Sequence, residues 1–477
     1  MPDPIRADYE QLLLLPPSLD QWLPPDHPAR FIRDFVDLLD LEALGVRMPE
    51  CRTGRAPFAP DLLLKVWLYG YFERIRSTRP LEWACYNVLP VIWLTGMNYP
   101  DHNTIWRFWD VNRQAMRGLL KQALGVAAQS GLVGMVLHAL DGTKIAARVS
   151  GRTAWHRQQL LEALEDVDEA IEQITQEIES ARQQEQSEPE YRMPQELQDA
   201  RSRREHIREA LAQMDKVQTD HLHPGDQEAR MMLCEGKVKF AYNAQAVVDE
   251  QSGLVVAADV TDEAADSEQL GPMLQQVEST QGGTARQTVA DGGYWNPPQL
   301  AEAEQKGHSV LVNAPPQVKG GGNPFHKSQF RYDGERDVFI CPRGRELVFE
   351  RTKPARHKKD VRIGVYRCKH QRDCSVSARC SRERRGRSIE KGPHYEAVVR
   401  QVERQRPGDN AEALAKRQQI VEVAFGWVKA NEGFRRWTVS GLEKVRSQWS
   451  LLCVVLNLRK LHRWWAGGQL VLEPGGP

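Results

Sequence analysis

At 477 residues the chain is too long for one ordinary core, so two to four structural units are expected. A hydrophobic share of 41% and an aromatic share of 8% belong to a globular chain, and no apolar run reaches the roughly 18 residues that a membrane helix needs. The formal net charge of +0 conceals opposed blocks: residues 161–200 hold 2 Lys/Arg against 13 Asp/Glu, residues 351–390 hold 14 against 4, and residues 411–465 hold 10 against 4.

Local field governs where a phosphate backbone docks, so a neutral total is compatible with a nucleic-acid partner. The N-terminus, MPDPIRADYE, lacks the apolar core of a signal peptide. A cytoplasmic chain is therefore expected, with its eight cysteines as free thiols or metal ligands.

Residues 1 to 134 read as helical. DLLLKVWLYGYFERI (61–75) opens behind Pro60 and Asp61, PLEWACYNV (80–88) follows, and NTIWRFWDVNRQAMRGLLKQALGVAAQ (103–129) starts behind the caps Asn103 and Thr104. Such short helices suit either a helix-turn-helix arrangement or a plain bundle with a tryptophan core. In the first case Trp106, Arg107, Trp109 and Arg113 lie on or near the helix that meets DNA.

The period then changes. GMVLHALDG (134–142) reads as a buried strand ending in an Asp-Gly turn, and KFAYNAQAVVDEQSGLVVAADVT (239–261) as a hairpin around a turn from Asp249 to Gly253. SEQLGPMLQQVES (267–279) is helical, QTVADGGY (287–294) a strand broken by Asp-Gly-Gly, PPQLAEAEQKG (297–307) a helix, and HSVLVNAP (308–315) a strand. RQQIVEVAFGWVKAN (417–431) and VRSQWSLLCVVLNLRKLHRWW (445–465) are amphipathic helices.

With two insertions removed, the order is that of an RNase H-like core: three antiparallel strands, then two parallel ones reached through helices. The expected architecture is thus α/β. An RNase H-like mixed-sheet catalytic core occupies 135–150, 236–315 and 411–465, behind an all-α, helix-turn-helix-like domain at 1–134. The insertion at 151–235 carries Leu161, Leu164, Val167, Ile171, Ile174 and Ile178 at three- and four-residue steps, which predicts an antiparallel helical hairpin turning near Ser187–Pro194. The insertion at 316–410 is basic, Cys-rich and without an evident core.

Cutting or transferring a phosphodiester needs charge stabilised on both the attacking and the leaving oxygen. Two divalent ions about 3.5–4 Å apart, Mg²⁺ or Mn²⁺, do this when held by carboxylates. Asp141 ends the first strand and Asp291 the fourth, neighbours in such a sheet although 150 residues apart. Glu422 lies on the last core helix, so these three acids are the expected catalytic and metal-binding set. Lys429, seven residues after Glu422, is expected on the same helix face and suited to a DNA phosphate, with Arg417 near that face. The glycines after both aspartates are expected to let DNA approach the backbone. Trp295 is placed either to stack on a base flipped from the DNA end or to pack under a loop. Cys341, Cys368, Cys374 and Cys380 could hold one structural Zn²⁺ or remain unpaired thiols.

The chain resembles bacterial insertion-sequence transposases of the DDE type, in particular the group numbered eleven-eighty-two. The resemblance is carried by GRAPFAPDLLLKVWLYGYFERIRSTRPLEWACYN, LDGTKIAA, VADGGYW and RQQIVEVAFGWVKANEGFRRWTVSGLEKVRSQWSLLCVVLNLRKL. It implies a DNA transposase that binds terminal inverted repeats, cleaves both ends and transfers the strands. Asp141, Asp291 and Glu422 would be its triad, Lys429 its signature lysine, and Arg435 and Arg436 of the GFRRW block further DNA contacts. A wider pattern in that family sets Arg four residues before the glutamate; here that position is Gln418, with Arg417 beside it. Double-stranded DNA and a second copy of the chain are the implied partners, without a membrane, and the implied location is the nucleoid. The helical hairpin suits either the dimer contact or an intramolecular strut.

Overall fold

The computed structural model describes residues 18–48, 56–184, 195–315, 323–355, 360–383, 385–405 and 409–472. The turn expected near Ser187–Pro194 and the N-terminal stretch MPDPIRADYE lie outside them. The chain divides into two compact units, Met1–Leu132 with Arg446–Pro477, and Val133–Val445.

The first unit is helical. Its core gathers Phe31, Phe35, Leu64, Trp67, Tyr71, Trp109 and Trp449, all buried. The helix Leu442–Ala466 belongs to this unit from Arg446 onward, where Gln448 Nε2 donates to the Tyr71 hydroxyl at 3.0 Å and His462 Nε2 lies 2.8 Å from the Asp26 carbonyl oxygen. The helix expected over 103–129 is two, His102–Val111 and Arg113–Gln129. Asn112 breaks it: its Nδ2 donates to the Phe108 carbonyl and its Oδ1 accepts from Arg47 N, so the side chain competes with the helical ladder. The cap is Asp101, whose Oδ1 accepts from Thr104 N at 2.7 Å, rather than Asn103 or Thr104. No described helix is long and apolar enough to cross a membrane.

The second unit is built on a six-stranded mixed sheet. Its strands are β1 (Leu137–Ala146), β4 (Arg230–Cys234), β5 (Lys237–Asp249), β6 (Val255–Thr261), β7 (Gln287–Ala290) and β8 (Val310–Val312). The order runs β4–β5–β1–β7–β8, with β6 also paired to β5. β1 is antiparallel to β5 and parallel to β7, and β7 is parallel to β8. Helices cover the sheet: Leu270–Gln281 packs on β6 and β5, and Asp409–Gly426 on β1, β5, β7 and β8. That cover explains why β5 is buried along nearly its whole length instead of alternating.

Several sequence expectations change. Asp141 does not end its strand, because β1 stays paired to β5 through Gly142↔Gln245 to Ala146↔Ala241. The Asp-Gly pair is extended backbone there, since long-range pairing overrides a local turn preference. β4, which falls inside the expected helical insertion, joins the main sheet through β5. The insertion itself holds two packed helices, Arg157–Gln184 and Gln195–Lys216, above a small ribbon of β2 (Trp155–His156) and β3 (His221–Leu222).

The Cys-rich insertion does have a core. It forms a five-stranded antiparallel sheet of β9 (Arg331–Asp333), β10 (Val338–Ile340), β11 (Glu346–Pro354), β12 (Arg362–Cys368) and β13 (Ser388–Lys391). Phe330, Phe339, Leu347, Tyr366 and Ile389 pack on one another there. The following helix, Tyr395–Arg404, returns to the main sheet. Gln401 Nε2 donates to the Val310 carbonyl at 2.8 Å and Gln405 Nε2 to that of Val312 at 2.6 Å, so side-chain amides satisfy the free edge of β8.

Candidate active site

β1 and β7 run side by side, and their last paired residues are Leu140 and Ala290. Asp141 and Asp291 are therefore the next residue on each of two adjacent parallel strands. Asp141 is three-quarters buried at its side chain, with 23% exposed, and its Oδ1 accepts from Gly142 N at 2.8 Å. Asp291 caps the short turn Gly292–Tyr294, its Oδ1 accepting from Gly293 N at 2.8 Å. Burial pushes the Asp141 carboxyl above its ordinary range; Arg417 and the Gly142 N–H oppose that shift, and the negative charge of Asp291 adds to it. Two acids that repel one another across a strand pair form a natural seat for a cation.

The helix Asp409–Gly426 supplies that cation from the protein. Arg417 Nη1 lies 2.7 Å from Asp141 Oδ2, with only 18% of the Arg417 side chain exposed. Glu422 sits elsewhere on this helix. It is exposed, and its Oε1 accepts from Gln418 Nε2 at 2.6 Å. Five residues at about 100° each set Arg417 and Glu422 roughly 140° apart around the axis. The helix then gives way to a π turn, Trp427–Asn431, which carries the half-buried Lys429 and alters the simple two-turn spacing from Glu422.

A polar network that no sequence motif announces surrounds the aspartates. Asp266, in the loop after β6, accepts from Lys144 Nζ at 2.8 Å, Asn243 Nδ2 at 2.6 Å and Gln245 Nε2 at 2.8 Å. The Tyr294 hydroxyl donates to Gln245 Oε1. Burial raises the Tyr294 hydroxyl well above its ordinary value, and the charges of Asp266, Asp141 and Asp291 press the same way. One weaker signal is visible in the chain: Lys144 lies three residues after Asp141 in LDGTK, and a lysine in a largely apolar strand needs a carboxylate partner.

The glycines serve this network. A Cβ at Gly142 would collide with Gln245 Nε2 and come within 2.8 Å of Asp266 Oδ1; one at Gly293 would lie 2.9 Å from Asp291 Oδ1. At Gly142 and Gly293 the space a Cβ would take is occupied by the protein's own polar groups, so these two positions need glycine for the network itself.

Asp141 and Asp291 fit a hard divalent cation by charge and ligand type. Among the described residues, however, no set of three or more His, Cys, Asp or Glu side chains is gathered as a metal-binding group. The remaining candidates are spread around this frame. Trp295 is half-buried and directly follows the Gly292–Tyr294 turn. Arg435 and Arg436 are exposed; the backbone of Arg436 bridges to Ala146 at the end of β1, and Arg435 Nη1 lies 3.6 Å from Glu235 Oε1. The indole of Trp437 donates to the Ile145 carbonyl at 3.1 Å, which pins the GFRRW block to β1. In the helical unit Arg107 is exposed and Trp106 half-buried, whereas Trp109 is core. Cys341, Cys368, Cys374 and Cys380 are free, partly buried thiols in the segment that carries the second sheet.

Two segments match family models. Residues 340–462 match a transposase DDE domain, and residues 17–110 match a transposase domain (DUF772). The first covers the Cys-rich sheet from β10, Arg417, Glu422, Lys429 and the GFRRW block; Asp141 and Asp291 lie outside both. No curated protein matches the chain. Two separate matches of one kind support an insertion-sequence transposase.

Proposed function

We propose that this chain, with its two transposase-type segments, is a DDE transposase similar to the eleven-eighty-two group. It would bind the terminal inverted repeats of a DNA element, cut its ends and join them to target DNA. The observation that carries the reading is the placement of Asp141 and Asp291 one step beyond the last pair of β1 and β7, with Arg417 of the DDE-matched segment against Asp141. The strand order, three antiparallel and then two parallel, supports an RNase H-like core.

In this reading Asp141, Asp291 and Glu422 would hold the divalent ions, Mg²⁺ or Mn²⁺. Bound there, such ions would stabilise charge on the attacking and leaving oxygens. The protein's own groups bind and orient. Lys429, Arg435 and Arg436 in the second unit would offer phosphate contacts, as would Arg107 in the helical unit. Trp295, four residues after Asp291, would stack on an unpaired base. Arg417 neutralises Asp141 before substrate arrives and can release it to pair with a phosphate. Two element ends must be held together, so the working form is a homodimer.

A second reading, a DNA-binding protein that no longer cuts, is favoured by the Arg417–Asp141 pair and by the exposed position of Glu422. The test is cleavage of a labelled duplex carrying the DNA that flanks the gene, with Mg²⁺ or Mn²⁺, comparing wild type with Asp141→Asn. Metal-dependent nicks at defined ends, lost in the variant, support the nuclease, and joined products support transposition. Retained end binding without any cutting supports the second reading.

A further inference from the structure

Four thiols from distant parts of the Cys-rich segment come to one end of the five-stranded sheet. Cys341 immediately follows β10, Cys368 is the last residue of β12, Cys374 lies in the loop beyond, and Cys380 ends the helical turn Ser377–Cys380. Cys341, Cys368 and Cys380 pack against the same aromatic core.

The backbone around Cys341 is already arranged for a thiolate. In Cys341-Pro342-Arg343-Gly344-Arg345 the chain turns back, Gly344 N donating to the Cys341 carbonyl at 2.8 Å. The turn aims two further amides at the sulfur, Arg343 N at 3.4 Å and Arg345 N at 3.3 Å. A neutral thiol is a poor acceptor for two amides, whereas a thiolate is a good one. The Arg345 side chain then ties this turn to the other cysteines, donating to the carbonyls of His370 at 3.3 Å and Asp373 at 2.8 Å. In that loop the Oε1 of Gln371 is buried without a hydrogen-bond donor. Gly386, at φ 91°, brings the chain so close that a Cβ there would strike the Cys368 carbonyl.

We infer that Cys341, Cys368, Cys374 and Cys380 bind one structural Zn²⁺ that clasps the end of this sheet. The four thiols lose their protons to solvent on binding, and the resulting net charge of the centre, −2, is stabilised by the arginines around it. Among the described residues no three such side chains are gathered as a metal-binding group, so the thiols do not form a closed ligand set in this conformation. Closing it asks for movement in the loop after Cys368 and leaves the strands alone, since β11–β12 pairing already runs through Leu347↔Cys368. The ion's role is mechanical: it joins three chain segments that carry a dense positive charge and only a small core.

The experiment measures metal in the full-length chain, purified without a histidine tag from zinc-supplemented cells. About one Zn²⁺ per chain is expected, falling several-fold in Cys374→Ser and in Cys380→Ser. Replacement by Co²⁺ should give thiolate-to-cobalt charge transfer and tetrahedral d–d bands in the wild type. This keeps the test decisive if the serine variants misfold. A folded wild type that holds well under one equivalent, gives no such bands and exposes all four thiols equally to a thiol reagent with or without Zn²⁺ overturns the inference, as does a disulfide among the four. The readout is independent of DNA cleavage.

Discussion

Arg417 Nη1 and Asp141 Oδ2 stand 2.7 Å apart, joining the helix Asp409–Gly426 to the central strand of the main sheet across 276 positions of sequence. The pair holds the helix over the strand that carries the first aspartate, and it also restrains the ionisation of that aspartate. Arg417 opposes the upward pull of burial on the Asp141 carboxyl. Its removal should raise that carboxyl further, so that a protonated Asp141 persists to higher pH. Arg417→Ala is expected to move the acid limb of the cleavage rate upward, losing more activity in mildly acidic buffer than in alkaline buffer. A rate–pH profile of the variant beside wild type measures this, and an unmoved limb would exclude Asp141 as the group that sets it.

The same carboxyl governs a stability effect of defined sign. Its folded value lies above its ordinary one, so its contribution to stability is complete at low pH and is lost as pH rises through the folded value. Near neutrality the wild type therefore carries an unfavourable buried charge that Asn lacks. Asp141→Asn should melt higher than wild type in metal-free neutral buffer. The gain should vanish in acid and shrink when Mg²⁺ is added to the wild type. Thermal melts at several pH values, with and without Mg²⁺, check all three expectations.

Gly142 is surrounded by Gln245, Asp266 and Asn243. Gly142→Ala must push these groups aside at a cost of about 1–3 kcal/mol. Denaturant unfolding should register that loss. Gly282, where an added Cβ meets nothing but φ is 72°, offers a contrast in which only backbone strain is introduced.

Glu422 is exposed and bonded to Gln418, so it contributes little to folding in this conformation. Glu422→Gln should leave the melt within about 0.5 kcal/mol of wild type. If it is the third metal-binding acid, cleavage should fall by roughly 10³-fold or more while binding to the DNA ends persists. Unchanged cleavage would remove Glu422 from the triad and turn attention to Asp266, an acid close to both Gly142 and Gly293.

Asp266 is held by Lys144, Asn243 and Gln245, and its neighbour Gln245 receives the Tyr294 hydroxyl, so it braces the turn that carries Asp291. Asp266→Ala is expected to lower cleavage about 10–100-fold with end binding kept, by loosening Asp291 rather than by removing a reacting group. Partial recovery in Asp266→Asn, which can still accept hydrogen bonds, distinguishes bracing from charge.

Much of this is readable along the chain because it depends on local pattern. The apolar runs around Leu140 and Val289 announce buried strands, and the acid after each is visible as a break in hydrophobicity. Helices with long apolar faces, such as the one ending in Trp464 and Trp465, are equally legible. Other features depend on partners far away in sequence. Pairing with β5 keeps Asp-Gly extended at 141–142, where local preference favours a turn. The outer strands of the Cys-rich sheet are only three or four residues long, and mutual packing of residues such as Phe339 and Tyr366 holds the sheet together. Most telling is the helix that bears both Arg417 and Glu422. Its amphipathic period says that one face will be buried, but a rotation of about 140° separates the two side chains. Which one meets Asp141 is decided by how that helix packs across β1, β5, β7 and β8, a balance of long-range contacts that no local pattern encodes.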